Sequence, residues 1–200
     1  KLQAQLVNGQ NLAATVKKHT FTITDSNTYS FGDKPAQTDF FKTGRIYSES
    51  LALLTGNDIN ALQQHLILLG QTLSNMPVKQ KLNEIKATMT KGTIEQDNLL
   101  AAIARLQPDL EKQAAKQSEK DLLLFQLGSW LNDVKLAAAL KNPVVLTQPQ
   151  SATYLLDAMR KQNMPKGAIT NLERIIILMQ STSLSEEDYM KILRYSKTIQ

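Results

Sequence analysis

The side chains best suited to chemistry are few, and their spacing limits what they do. The 200-residue chain has no cysteine and two histidines. Without a thiol there is no cysteine nucleophile, no disulfide framework and no thiolate-held zinc or iron–sulfur cluster. His19 and His65 stand far apart, and neither belongs to a His-x-x-x-His or Glu-x-x-His pattern that would set two metal ligands on one helix face. His65 lies three residues after Leu62 and four before Leu69, at the border of an apolar stripe, and reads as a structural histidine. His19, beside Lys17 and Lys18, reads as exposed.

Phosphate cradles of the Gly-x-x-x-x-Gly-Lys and Gly-x-Gly-x-x-Gly types are missing from the sequence, as is the Gly-x-Ser-x-Gly elbow. Glu186, Glu187 and Asp188 form the densest acidic run. Carboxylates in a first helical turn complement the positive end of the helix dipole, so this run marks a helix start rather than a metal site. One carboxylate pair, Glu49 and Asp133, is set apart by occupying matching positions in two halves described below. The expectation is a chain with no catalytic residues, no cofactor and no metal.

The elements that would position these groups follow from the hydropathy pattern. Composition is that of a globular protein, 42% hydrophobic and 20% charged. Residues 1–38 differ from the rest. Val16–Thr24 alternates apolar and polar residues from Thr20 and is rich in β-branched side chains; Asp25-Ser26-Asn27 supplies a turn, and Tyr29 and Phe31 resume the alternation. A β-hairpin over Val16–Thr24 and Asn27–Phe31 is expected, docked on the body that follows because an isolated hairpin is marginal in water.

From Thr38 the period becomes helical. Thr38 is the expected cap of a helix carrying Phe40, Phe41, Tyr47, Leu51 and Leu54, stopped by Gly56. Asp58 opens a second helix with Leu62, Leu66, Leu69 and Leu73 on one face. Pro77 separates a third, and Thr93-Ile94-Glu95-Gln96 has the form of a capping box before a fourth. A polar stretch from Pro108 to Lys120 reads as a solvated connecting helix. Ser118–Lys141 is a long segment with Phe125, Trp130 and Val134; Asn142–Ser151 reads as a loop. Three helices follow, the first capped by Ser151, the second after Pro165 and the last capped by Ser183 or Ser185.

The chain resembles itself. Phe41-x-x-Gly44 recurs as Phe125-x-x-Gly128 after 84 positions, Asn75-Met76-Pro77 as Asn163-Met164-Pro165 after 88, and Glu95-Gln96-Asp97 as Glu186-Glu187-Asp188 after 91. The drift falls in loops, where insertions are tolerated. This predicts a mainly α fold of about eight core helices in two pseudo-repeated four-helix units, as a hairpin array or bundle, with the short N-terminal β-hairpin. The expected divisions are residues 1–38 (extension), 39–106 (unit 1), 107–122 (connecting helix) and 123–200 (unit 2). Glycine within a helix costs about 1 kcal/mol relative to alanine, so Gly44 and Gly128 predict close helix–helix approach.

Function is legible only as a class. A duplicated helical chain without convergent catalytic groups predicts a non-catalytic interaction or scaffold protein. Its partner would be another protein or a peptide, held in a groove between the halves. Gly44, Tyr47, Gly128 and Trp130 are the expected seam residues, with Tyr189 and Tyr195 as further interface candidates. The alternative is a nucleic-acid or anionic-surface binder. The net charge is +5, and its densest basic stretch is Lys135, Lys141, Arg160, Lys161 and Lys166. The excess is not clustered as a nucleic-acid footprint usually is. Strongly apolar runs such as Leu122–Phe125 and Ile175–Met179 fall far short of the roughly 20 residues a membrane helix needs, so no transmembrane segment is expected. The first residue, Lys1, fits a fragment or a processed chain, and with the missing cysteines favours an exported or periplasmic protein over a cytoplasmic one.

Overall fold

Apolar residues recurring every three to four positions require helices that bury one face, and the computed structural model is built that way. It describes residues 39–73, 76–90, 95–146 and 149–199. They form α1 (Phe40–Thr55), α2 (Ile59–Thr72), α3 (Met76–Thr90), α4 (Gln96–Ala104), α5 (Leu106–Gln117), α6 (Glu119–Ala139), α7 (Pro143–Leu146), α8 (Gln150–Lys161), α9 (Lys166–Met179) and α10 (Glu186–Ile199). The protein is mainly helical, with no strand among the described residues. The expected hairpin falls in residues 1–38, outside them.

Side-chain oxygens at helix starts satisfy amide N–H groups that have no partner within the helix. Asp39, not Thr38, caps α1 and accepts from the Lys42 amide at 2.9 Å. Asp58 caps α2 through the Ala61 amide, and Ser118 caps α6 through the Asp121 amide. Glu95 stands at the start of α4 without a side-chain cap, and Pro149 rather than Ser151 precedes α8. At α10, Ser185 and Asp188 cap reciprocally: the Ser185 amide and hydroxyl donate to Asp188 Oδ2, and the Asp188 amide donates to Ser185 Oγ. Those bonds hold the exposed Asp188 carboxyl below its ordinary range.

Three helices end alike. The Asp58 and Asn57 amides donate to the Leu53 and Leu54 carbonyls, those of Asn142 and Lys141 to Ala137 and Ala138, and those of Met164 and Asn163 to Met159 and Arg160. This double closure needs a left-handed residue just past the helix. Asn57, Lys141 and Asn163 supply it with φ of 57°, 53° and 51°. Gly56, the expected stop for α1, has φ −79° and is not that residue.

Leu62, Leu66, Leu69 and Leu73 are all buried, as their spacing requires. The central element is α6, which packs against α1, α5, α7, α8 and α10. A single hydrophobic cluster draws on every helix from Phe40 in α1 to Ile199 in α10. The connecting helix α5 is less solvated than its polar composition suggests. It buries Leu106, Leu110, Gln113 and Ala114 and packs on α3, α4 and α6.

Candidate functional site

The site begins at the crossing of α1 and α6. A Cβ on Gly44 would lie 2.0 Å from the Phe125 carbonyl oxygen, and one on Gly128 would lie 2.1 Å from that of Phe41. Any side chain there would collide with backbone, so the two Phe-x-x-Gly motifs allow this approach reciprocally. Beside the crossing the Tyr47 and Phe125 rings meet at 6.0 Å between centroids. Further along, Ser48 donates to Asp133 Oδ1 at 2.6 Å and accepts from Asn132 Nδ2 at 2.9 Å. Buried polar groups must find such partners or carry a desolvation cost.

Close approach of α1 and α6 leaves a groove where α5 and α8 flank them. Its volume is about 560 Å³, within the range of roughly 300–1,000 Å³ typical of ligand sites. Tyr47 and Leu51 of α1, Phe125 and Trp130 of α6 and Leu155 of α8 give it an apolar floor. Gln107 and Glu111 of α5, Gln126, Ser129 and Asp133 of α6, and Gln150 and Ser151 of α8 supply polar groups. Tyr154 of α8 also lines it and is 59% exposed. A second recess of about 430 Å³ shares Gln126 and Tyr154 with the first and continues along Glu119, Leu122, Asp157 and Lys161.

Among the described residues two carboxylates, Glu111 and Asp133, line the groove. The buried Tyr47 hydroxyl donates to the Ala104 carbonyl at 3.5 Å. Burial raises its pKa above the ordinary phenol value, and the charges of Asp133 and Glu111 push it in the same direction. The phenol therefore keeps its proton.

On the other side of the crossing sits a buried charge cluster. Glu49 Oε2 meets His65 Nε2 at 3.2 Å, and Oε1 lies 3.9 Å from Arg45 Nε. His65 Nδ1 is 3.0 Å from the Ala61 carbonyl, which only accepts, so Nδ1 carries a proton. Lys135 is 1% exposed. Burial lowers its pKa to about 7, against the opposing pull of Glu49 and with help from Arg45 and Lys197.

The expected seam residues fall into two groups. Tyr47 and Trp130 line the groove, whereas Gly44 and Gly128 are buried in the crossing. Tyr189 and Tyr195 lie on α10 and do not line the groove; Tyr195 packs under the guanidinium groups of Arg174 and Arg194, each 5.4 Å from its centroid. Glu49 and Asp133 are both buried, but with separate partners. In the basic stretch, Lys135 is interior, Lys141 pairs with Glu186, Arg160 with Asp157 and Glu173, and Lys161 with Glu119. Tyr154, Gln107 and Glu111 were outside the expected site. The stripe Leu106, Leu110, Ala114 is the signal that could have placed α5 against the body.

Among the described residues no group of three His, Asp or Glu side chains is placed to hold a metal ion, and no helix is long and apolar enough to cross a membrane. Comparison of the chain with protein-family models, curated proteins and solved structures found no match.

Proposed function

We propose that this chain is a non-catalytic interaction module that holds a stretch of a polypeptide partner in the groove beside the α1–α6 crossing. The observation that carries this reading is the pair of adjoining recesses that share the exposed Tyr154. Successive side chains of a bound segment could occupy them in turn, with the glutamine amides of Gln107, Gln126 and Gln150 available to its backbone. Exposed aromatic rings at such a place are frequent anchors of binding energy.

Two copies of one four-helix module, α1–α4 and α6 with α8–α10, would account for the seam. Supporting this, Phe41, Gly44 and Asn57 precede Phe125, Gly128 and Lys141 by the same 84 positions. The packing of α1 on α2 and α4, of α2 on α3 and of α3 on α4 also has a counterpart in α6 on α8 and α10, α8 on α9 and α9 on α10.

The test is a randomised peptide display library screened against the full chain, with selected peptides titrated against Tyr154→Ala. Truncating an anchor costs about 1–2 kcal/mol, so affinity should fall roughly 5- to 30-fold while the melting temperature holds. Peptides that bind the variant as well as the native chain would remove the groove as the site.

A further inference from the structure

Resting on that reading, we infer that the groove has an occupant within this chain: residues 20–31 compete there with the partner, and Tyr29 and Phe31 enter the two recesses. Thr20-Phe21-Thr22-Ile23-Thr24 and Tyr29-Ser30-Phe31 set large apolar residues two positions apart. In an extended chain such residues share a face and stand about 7 Å apart. An isolated hairpin is marginal in water, so these side chains need a surface to cover. Two recesses that share Tyr154 can take such a pair in turn. Their apolar surface is open to a ligand: Tyr154 is 59% exposed, and Leu51, Leu122 and Ala158 are half-buried.

The place where the segment joins the body favours its own groove over that of another copy. Asp39 caps α1, and Gly44 packs on the backbone of Phe125 and Ser129, both in the groove wall. From Asp39 to Gly44 the helix advances only about 7–8 Å. The chain from Phe31 to Asp39 spans up to about 26–29 Å when extended. Phe31 therefore has slack to reach the groove and to turn at Gly32-Asp33 on the way. A segment tethered within reach meets its site at an effective concentration on the order of millimolar, which a separate copy or a free peptide must exceed. Asp25 is the one charged residue between Thr20 and Phe31, so apolar packing and backbone hydrogen bonds, rather than ion pairs, hold the segment.

Two measurements on the full chain test this. Peptides selected by display are titrated against the native chain and against Tyr29→Ser/Phe31→Ser. An internal segment that fills the groove for about nine-tenths of the time weakens a partner's apparent affinity about 10-fold, so the double substitution should tighten peptide binding by about that factor. The second measurement keeps both anchors in place and uses the absence of native cysteine. Ser30→Cys is paired with Ser151→Cys on the groove wall, or with Ile177→Cys, an exposed position of α9 outside the groove, and each pair is treated with a short bis-maleimide. The groove pair should cross-link within one chain severalfold faster than the control pair.

Tyr154-dependent peptide binding that Tyr29→Ser/Phe31→Ser leaves unchanged, or equal cross-linking of the two cysteine pairs, overturns this inference and leaves the groove reading standing. Binding indifferent to Tyr154→Ala overturns both. Cross-links that join two chains assign the groove to a second copy and also overturn the inference.

Discussion

Gly44 stands so close to the carbonyl oxygen of Phe125 that a Cβ on it would come within 2.0 Å of that oxygen. In an open helix, replacing glycine by alanine stabilises by up to about 1 kcal/mol. Here the sign reverses, because the obstacle is backbone and cannot swing away as a side chain would. Gly44→Ala and Gly128→Ala should each destabilise by about 3 kcal/mol or more, at the upper end of overpacking. Gly167→Ala, near the start of α9 with nothing within 4 Å of the new methyl, should instead stabilise by about 0.5–1 kcal/mol. Urea unfolding of the three variants checks the contrast, and equal effects would contradict the close crossing.

Ser48 links α1 to α6 by giving its hydrogen to Asp133 and accepting one from Asn132. Ser48→Ala removes an acceptor from Asn132 and a donor from a buried carboxylate. Stranding buried polar groups costs about 1–3 kcal/mol, and the loss should be near 2–3 kcal/mol here because one acceptor is charged. The measurement is a double-mutant cycle with Asp133→Asn. A coupling energy near zero would mean the hydroxyl bond contributes nothing.

Much of this architecture could be read from residue spacing, because helical burial is a local, periodic property. The stripe of Leu62, Leu66, Leu69 and Leu73 is buried along its length, and the glycines of the two Phe-x-x-Gly motifs meet opposing backbone. Features set by distant partners were not legible. Lys135 looked like a surface cation, since only the fold carries it into the interior beside Glu49. Glu111 and Tyr154 join one groove only because α5 and α8 flank the same crossing. The many charges of α5 masked the stripe that packs it there.

Lys141 and Asn57 both close the helix before them in the left-handed region, with φ of 53° and 57°. That conformation costs an ordinary L-residue about 1–2 kcal/mol, whereas glycine adopts it freely and asparagine is intermediate. Lys141→Gly should therefore raise stability by about 0.5–1 kcal/mol, and Asn57→Gly by less. The exposed Lys141–Glu186 pair lost in the first variant contributes little in comparison. Melting temperatures should rank Lys141→Gly above Asn57→Gly above the native chain. The reverse order would mean the two helix ends are not strained.

Lys135 gives the fold a pH dependence with a definite sign. Its ordinary pKa of 10.5 falls to about 7 in the folded chain, chiefly through burial, with Glu49 opposing the shift and Arg45 and Lys197 adding to it. Between these two values the unfolded chain holds the proton and the folded chain does not, so unfolding takes up a proton and stability rises with pH. Below about pH 7 both states are protonated, and the full cost of burying the ammonium, a few kcal/mol, is present. Lys135→Met removes this group and leaves Glu49, Arg45 and His65 in place. Native stability relative to the variant should accordingly be lowest near pH 6, climb from pH 7 to 10, and level off above the unfolded pKa. Denaturant unfolding of both proteins at matched pH values measures the difference directly, and a difference independent of pH from 6 to 10 would show that Lys135 keeps an ordinary pKa in the fold.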